Sequence, residues 1–191
     1  SYVSASAGNS GPDYGTADHA SPWYTTVAAS SIPTYEGTVQ AAGEFEAPGA
    51  AITVPADGVT GDAVYAGDVP AAGVDAADAA LCFPDTLDAA AVDGKIVVCD
   101  RGGNARAEKS QTVADAGGIG MVLVNVTPGS LDTDMHSVPT VHIAHTYRDA
   151  LLAAIETDPS VTLLAENITG EETPVPQIAG FSSRGPMLAD G

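Results

Sequence analysis

The sequence contains few basic residues, few aromatic residues and no long apolar segment. Six Lys and Arg stand against 25 Asp and Glu, which gives a net charge of −19 at pH 7. A chain this acidic does not bind nucleic acid or an anionic membrane surface through its overall field. The longest apolar run, at 119–126, is far shorter than the ~20 residues of a membrane helix. We therefore expect no nucleic-acid partner and no membrane partner.

The chain also lacks an initiating Met and a basic, apolar leader. It opens on SYVSASA, which is typical of the end of a strand, and closes on MLADG without a helix cap, so we interpret it as a piece of a longer protein. An apolar content of 45% is too high for a disordered chain. The 191 residues suffice for one large or two small domains. Because aromatic residues make up only 5%, the core has to consist of small aliphatic side chains.

Strand and helix patterns alternate in the middle of the chain. The short apolar runs at 95–100 and 120–125 are typical of strands that are buried on both faces. A helix is predicted between them at 107–116, where Gly117 and Gly118 end it. Further elements are predicted as strands at 23–28, 62–65, 140–144, 161–165 and 177–181 and a helix at 146–155. This order predicts an α/β fold with a small mixed sheet and two flanking helices.

The sequence SAGNSGP at 6–12 places Asn9 among small residues at the end of the first strand. Taken alone, Asn-Ser-Gly-Pro is a turn. A carboxamide held by a Gly-rich backbone at a strand end also has the chemistry to donate an N–H to an oxyanion, an interaction that strengthens as negative charge develops. The motif by itself leaves both interpretations open.

Two further segments favour the second interpretation. The sequence PWYTTVAAS follows at 22–30, and GFSSRGP lies at 180–186. The order of the three segments resembles that of the subtilisin-like serine proteases. In that family the first segment carries the oxyanion-hole Asn, which maps onto Asn9, and the third precedes the nucleophilic Ser. By this resemblance Ser182 and Ser183 are turn hydroxyls and not nucleophiles.

The motifs that carry the catalytic triad of that family are missing from the sequence. It contains no Asp-Thr-Gly, no His-Gly-Thr and no Gly-Thr-Ser-Met. Subtilisin-like chains run Asp, His, then Ser, so this chain would begin after the first two and end before the third. We expect the chain to be inactive on its own, since triad chemistry needs all three groups.

A second resemblance covers the middle of the chain. GKIVVCDRG at 94–102, AGGIGMVLVN at 116–125 and HSVP at 136–139 resemble a protease-associated (PA) domain, which some subtilisin-like proteases carry between the oxyanion Asn and the nucleophilic Ser. This implies a PA domain at 42–172, built on a small mixed sheet or open barrel, inserted between two pieces of a subtilisin-like α/β catalytic domain at 1–41 and 173–191.

The two resemblances together imply a secreted serine endopeptidase that needs no cofactor. Its partners would be polypeptide substrates and the remainder of the catalytic domain, and the PA domain would shape substrate access, mediate protein contacts or, as in some members, dimerise. The alternative is a non-catalytic PA-type interaction module. If the rest of a catalytic domain is the partner, Val27, Ile32, Ile178 and Phe181 should be exposed in this chain.

The two cysteines, Cys82 and Cys99, enclose a loop of 16 residues and are either two buried thiols or a disulfide. We favour the disulfide, because the subtilisin-like resemblance implies secretion and many members with an insertion pair cysteines at this place. The sequons at Asn125 and Asn167 need a glycosylating host, and we expect neither to be used.

Acidic residues and histidines cluster between 132 and 145. The run Asp132, Asp134 and His136 supplies oxygen ligands two residues apart, as in a calcium loop, but the Gly and the late Glu of such a loop are missing. His142 and His145 flank a strand end and need not face one point. We therefore expect a solvated loop here and no metal. The sequence RGGNAR at 101–106 lacks the Gly-Lys-Ser/Thr ending of a phosphate-binding loop and is interpreted as a flexible turn.

Overall fold

The computed structural model describes residues 2–19, 21–30, 36–166, 178 and 181–186. The chain forms two compact units, one made of Ser1–Pro33 with Gly170–Gly191 and the other of Thr34–Thr169. In chain order the elements are β1 (Val3–Ser6), β2 (Tyr24–Val27), β3 (Glu36–Ala41), β4 (Phe45–Ala50), β5 (Val59–Tyr65), α1 (Ala76–Ala80), α2 (Ala89–Val92), β6 (Ile96–Asp100), α3 (Arg106–Asp115), β7 (Gly120–Val124), β8 (Thr140–Ile143), α4 (Arg148–Thr157) and β9 (Ser160–Glu166).

The larger unit is a closed seven-stranded barrel in the order β3-β4-β8-β7-β6-β5-β9. Its strands β5, β6, β7 and β8 are parallel neighbours, and the remaining pairs are antiparallel. The mixed α/β class is therefore confirmed. The sheet is closed and not open, because β9 pairs with β5 on one side and with β3 on the other. Every helix in the described ranges is too short or too polar to serve as a membrane span.

The hairpin of β3 and β4 is the part of the barrel that the sequence did not predict. β4 contains Pro48 and Gly49, which strand interiors disfavour. Gly49 is required, because a Cβ at this position would overlap the carbonyl oxygen of His142 on β8. β3 lies before residue 42, the domain boundary predicted from the sequence, and it pairs with β4 and β9 as part of the barrel.

The strands β6 and β7 are buried on both faces, as their apolar runs predicted. On β6, Ile96 and Val98 belong to the cluster of apolar side chains that fills the barrel. Val97 and Cys99 alternate with them and pack in a second cluster outside the barrel. All four side chains are inaccessible to solvent. The predicted bounds of these strands and of α3 are confirmed to within one residue.

The second cluster contains a disulfide between Cys82, just after α1, and Cys99 on β6. Both residues are fully buried. The pairing favoured from the sequence is confirmed. It ties the segment that contains α1 and α2 to the barrel wall.

Lys109 on α3 anchors the same region although it is fully buried. Its ammonium donates to the carbonyl oxygen of Gly102 at 2.7 Å, to that of Leu81 and to Oδ1 of Asn104. All three N–H donors therefore have an acceptor, as a buried charge requires. Burial lowers the pKa of Lys109 to about 8, which leaves the side chain mostly protonated at pH 7.

The smaller unit contains the parallel pair β1 and β2, with Val3 opposite Tyr24 and Ser6 opposite Val27. The strand predicted at 23–28 is confirmed by β2. Of the strand predicted at 177–181, only Ile178 and Phe181 lie among the described residues. Ile178 forms a bridge with Ser30, whereas Phe181 lies in a turn.

Several apolar residues of the smaller unit were predicted to be exposed, and this is confirmed for the three that lie among the described residues. Val27, Ile178 and Phe181 are 52%, 57% and 48% exposed, and Ile32 lies outside the described residues. Exposed apolar side chains of this size are of the kind that pack against further protein.

The C82A/C99A variant of the 191-residue chain should be less stable than the parent by about 3 kcal/mol, because the disulfide closes a short loop and restricts the unfolded chain. Denaturant unfolding under oxidising conditions, followed by circular dichroism, measures the difference. Equal free energies of unfolding for the two proteins would show that the bridge contributes nothing.

Candidate functional site

Asn9 lies in the loop that directly follows β1. Its side chain is exposed, and within the described part of the chain it makes no hydrogen bond. The residue lies at a groove of about 350 Å³ that is lined by residues 4–9 and 27–29. The carboxamide is therefore available to an incoming group, which is the arrangement that an oxyanion donor requires.

The backbone of this loop is fixed by the segment around Ser183. The N–H of Ser183 donates to the carbonyl oxygen of Gly8 at 3.0 Å, and the N–H of Gly11 donates to that of Phe181 at 3.0 Å. The N–H of Ser10 donates to Oγ of Ser183 at 2.9 Å. Three hydrogen bonds thus hold the chain on both sides of Asn9 while its side chain stays exposed.

Gly8 is needed for this packing. Its φ of +99° lies in the left-handed region, which side chains disfavour. A Cβ at Gly8 would also come within 2.5 Å of Oδ2 of Asp18 and 2.8 Å of Oγ of Ser183. The absence of a Cβ at Gly8 therefore allows the Ser183 hydroxyl to approach the backbone of this loop.

Ser182 and Ser183 are buried, with 0% and 4% exposure. The Oγ of Ser182 accepts the N–H of Ala29 at 3.1 Å. Both hydroxyls thus accept backbone N–H groups, in agreement with their interpretation as turn hydroxyls.

In the barrel unit, Asp132 and Asp134 are paired with arginines. Nη2 of Arg101 and Nη1 of Arg106 lie 3.4 Å and 3.2 Å from Oδ2 of Asp132, and Nε of Arg106 donates to Asp134. The hydrogen bond from Arg106 lowers the pKa of Asp134. We expected this loop to be solvated, but its two carboxylates form ion pairs with Arg101 and Arg106. The two arginines, which were interpreted as part of a flexible turn, therefore hold the loop. These ion pairs could not be predicted from local sequence patterns, because the partners lie about 30 residues apart along the chain.

The histidines of this region do not converge on one point. His142 is fully buried; its Nε2 donates to Oδ1 of Asn125 at 2.8 Å, and its Nδ1 accepts the N–H of Asp132 at 3.1 Å. His136 contacts Oγ of Ser110 at 3.1 Å, and His145 begins a 3₁₀ turn. Among the described residues, no group of three or more His, Cys, Asp or Glu side chains is arranged to hold a metal ion.

The sequon at Asn125 is inaccessible. Asn125 is 1% exposed, and its Nδ2 donates to the carbonyl oxygens of Gly129 and Ser130, each at 3.2 Å. A glycan attached to this nitrogen would have no room. Asn167 lies outside the described residues.

A cluster of three polar side chains, one from each element, joins α4 to β5 and β6. Arg148 donates to both carboxylate oxygens of Asp100 at 2.8 Å, and the hydroxyl of Tyr65 donates to the same carboxylate at 2.8 Å. Burial raises the pKa of Tyr65 to about 12. Because the three side chains satisfy one another, the raised pKa values of Tyr65 and Arg148 indicate a structural network and not a reactive site.

The free energy of unfolding of the chain should fall as the pH is lowered from about 6.5 towards 4. Burial lowers the pKa of His142 from 6.5 in a free side chain to about 4. The unfolded chain therefore binds a proton in this range that the folded chain does not, and stability rises with pH across it. Denaturant unfolding at a series of pH values measures the slope.

The variant His142→Gln removes this proton, and its stability should depend less on pH between 4 and 6.5. The matched control is His19→Gln, since His19 is exposed and its replacement should leave the slope as in the parent. A slope that is unchanged in His142→Gln would contradict the assignment.

Comparison with known proteins supports both sequence resemblances. The PA-domain family matches residues 59–151. The chain is 40% identical over 195 residues to Subtilisin-like protease SBT1.4 of Arabidopsis thaliana, covering 96% of this chain and 24% of that protein. It is 34% identical over 193 residues to Subtilisin-like protease SBT5.6 of the same plant, covering 98% and 24%. The chain thus spans about a quarter of the length of these relatives.

A solved structure shows the same fold at low sequence identity. BSAP, a zinc aminopeptidase from Bacillus subtilis, is 20% identical, with a TM-score of 0.53, and the match covers 73% of this chain and 32% of the aminopeptidase. Because this likeness concerns the fold alone, the assignment depends on the sequence matches. On those matches, the chain is similar over nearly its whole length to subtilisin-like proteases, and its residues 59–151 match the PA-domain family.

Proposed function

We propose that this chain is part of a secreted subtilisin-like serine endopeptidase in which Asn9 donates an N–H to the oxyanion formed during peptide-bond cleavage. The observation that carries the proposal is the exposed carboxamide of Asn9 on a loop whose backbone is fixed on both sides. The match of nearly the whole chain to subtilisin-like proteases supports the same conclusion.

The proposed chemistry begins when a serine hydroxyl attacks the scissile carbonyl and the carbonyl oxygen gains negative charge. Nδ2 of Asn9 would donate to that oxygen. Because the loop is already held in place, little reorganisation accompanies the reaction, and the interaction is strongest in the transition state. The triad would come from the remainder of the full-length enzyme, so we expect the 191-residue chain alone to be inactive.

We further propose that the barrel unit controls which polypeptides reach the site. It has a core of its own in two apolar clusters, and its perturbed polar groups bind one another. Its contribution would therefore come through its surface, by restricting access or by binding proteins, with dimerisation as one form of the latter. The buried disulfide supports secretion, since such bridges persist in oxidising compartments.

In the full-length enzyme, Asn9→Ala should lower kcat about 10²–10³-fold with little change in KM, which is the magnitude known for removing one oxyanion donor from subtilisin itself. Steady-state kinetics on a short chromogenic peptide anilide measures both constants. Ser10→Ala is the matched control, because it changes an exposed neighbour and keeps the backbone hydrogen bond of that residue. A change in KM alone would remove Asn9 from the proposed role.

Replacing residues 34–169 of the full-length enzyme by a short Gly-Ser linker should change kcat/KM on a protein substrate such as casein by roughly tenfold or more, and on a short peptide anilide by less than about threefold. The reason is that only large substrates would encounter the barrel unit. Equal changes on both substrates would contradict control of access.

A further inference from the structure

Ser183 contacts the backbone on both sides of Asn9. Its N–H donates to the carbonyl oxygen of Gly8 at 3.0 Å, and its Oγ accepts the N–H of Ser10 at 2.9 Å. We infer that Ser183 is a positioning residue, whose hydroxyl holds the carboxamide of Asn9 in the orientation that oxyanion binding requires. This inference rests on the proposed function of Asn9.

One of the two hydrogen bonds between Ser183 and the Asn9 loop is made by the Ser183 side chain, and a substitution can remove it. The hydrogen bond to Gly8 uses the main chain and survives any substitution except proline. The hydrogen bond from Ser10 ends on the hydroxyl, so alanine at 183 would leave that N–H without its acceptor. Ser183 is 4% exposed, and water therefore has little room to replace the hydroxyl.

The N–H of Ser10 belongs to the peptide group that joins Asn9 to Ser10. The orientation of this peptide group is set by ψ of Asn9, and the same backbone determines the direction in which the Asn9 side chain leaves the chain. When the hydroxyl of Ser183 fixes the peptide group, it thereby limits the positions of Nδ2. Small displacements of a group that stabilises a transition state have large effects on rate.

The Ser183 hydroxyl approaches the loop at a position where only a glycine leaves room for it. A Cβ at Gly8 would lie 2.8 Å from Oγ of Ser183, so the approach of the hydroxyl requires a glycine there. The neighbouring Ser182 is equally buried, but its Oγ accepts the N–H of Ala29, which follows β2. Ser182 makes no hydrogen bond to residues 8–11 in the described part of the chain, and it is the matched control.

The test uses the full-length enzyme, a short peptide anilide as substrate, and concentrations determined by active-site titration. Ser183→Ala should lower kcat about 10-fold, less than the loss of the carboxamide itself, and change KM by less than about twofold. Ser182→Ala should leave both constants near those of the parent. Because kcat is expressed per titrated site, a smaller yield of folded enzyme does not enter the result.

A double-mutant cycle separates positioning from a general structural role. If Ser183 acts through Asn9, Ser183→Ala should lower kcat by less than about twofold when Asn9 is already alanine. The inhibition constant of a peptide aldehyde, which forms an oxyanion-like adduct, should rise about 10-fold in Ser183→Ala, while that of the corresponding peptide acid stays the same. Multiplicative effects in the cycle would overturn the inference.

The outcomes for Asn9 and Ser183 are distinguishable. If Asn9→Ala leaves kcat unchanged, the proposed function itself fails. If Asn9→Ala lowers kcat as expected but Ser183→Ala has the kcat of the parent, the oxyanion role stands and only the positioning role of Ser183 is overturned.

Discussion

The hydrogen bonds between Ser183 and the residues on either side of Asn9 constrain the loop on which the proposed chemistry depends. Each bond contributes about 1 kcal/mol to stability, and the bond between Gly11 and Phe181 extends the same contact. They fix the backbone and leave the Asn9 carboxamide exposed. In the proposed role, the hydrogen bond from this carboxamide would strengthen as charge develops on a substrate, and its contribution would therefore appear in the transition state.

The barrel unit shows the opposite arrangement. Its ionisable groups with perturbed pKa values are satisfied internally, with the buried Lys109 on three oxygen acceptors, the half-buried Arg148 on Asp100 and the buried His142 between Asn125 and Asp132. Burial lowers the pKa values of Lys109 and His142, whereas the hydrogen bond to Asp100 raises the pKa of Arg148, and each group has a structural partner. Because each of these groups is bound to another group of the same unit, the part that we propose for the barrel unit is in access and recognition and not in bond cleavage.

Local patterns in the sequence were sufficient for the buried strands and the two long helices, whereas the disulfide and the exposed apolar residues of the smaller unit were predicted from the family resemblance. The hairpin of β3 and β4 was not predicted, because β4 contains Pro48 and Gly49, two residue types that are rare inside strands. The pairs of Arg101 and Arg106 with Asp132 were missed because they join distant segments. The contact of Ser183 with Ser10 spans 173 residues, and only the folded chain brings the two together. Sequence reasoning could identify Asn9 but not what holds it.

The most direct test of the oxyanion assignment is a crystal structure of the full-length enzyme with a peptide aldehyde bound covalently to its nucleophilic serine. We predict that Nδ2 of Asn9 lies about 2.7–3.1 Å from the hemiacetal oxygen, with the backbone of Gly8 and Ser10 still bound to Ser183. A structure in which Nδ2 points away from that oxygen, and other donors or water surround it, would contradict the account.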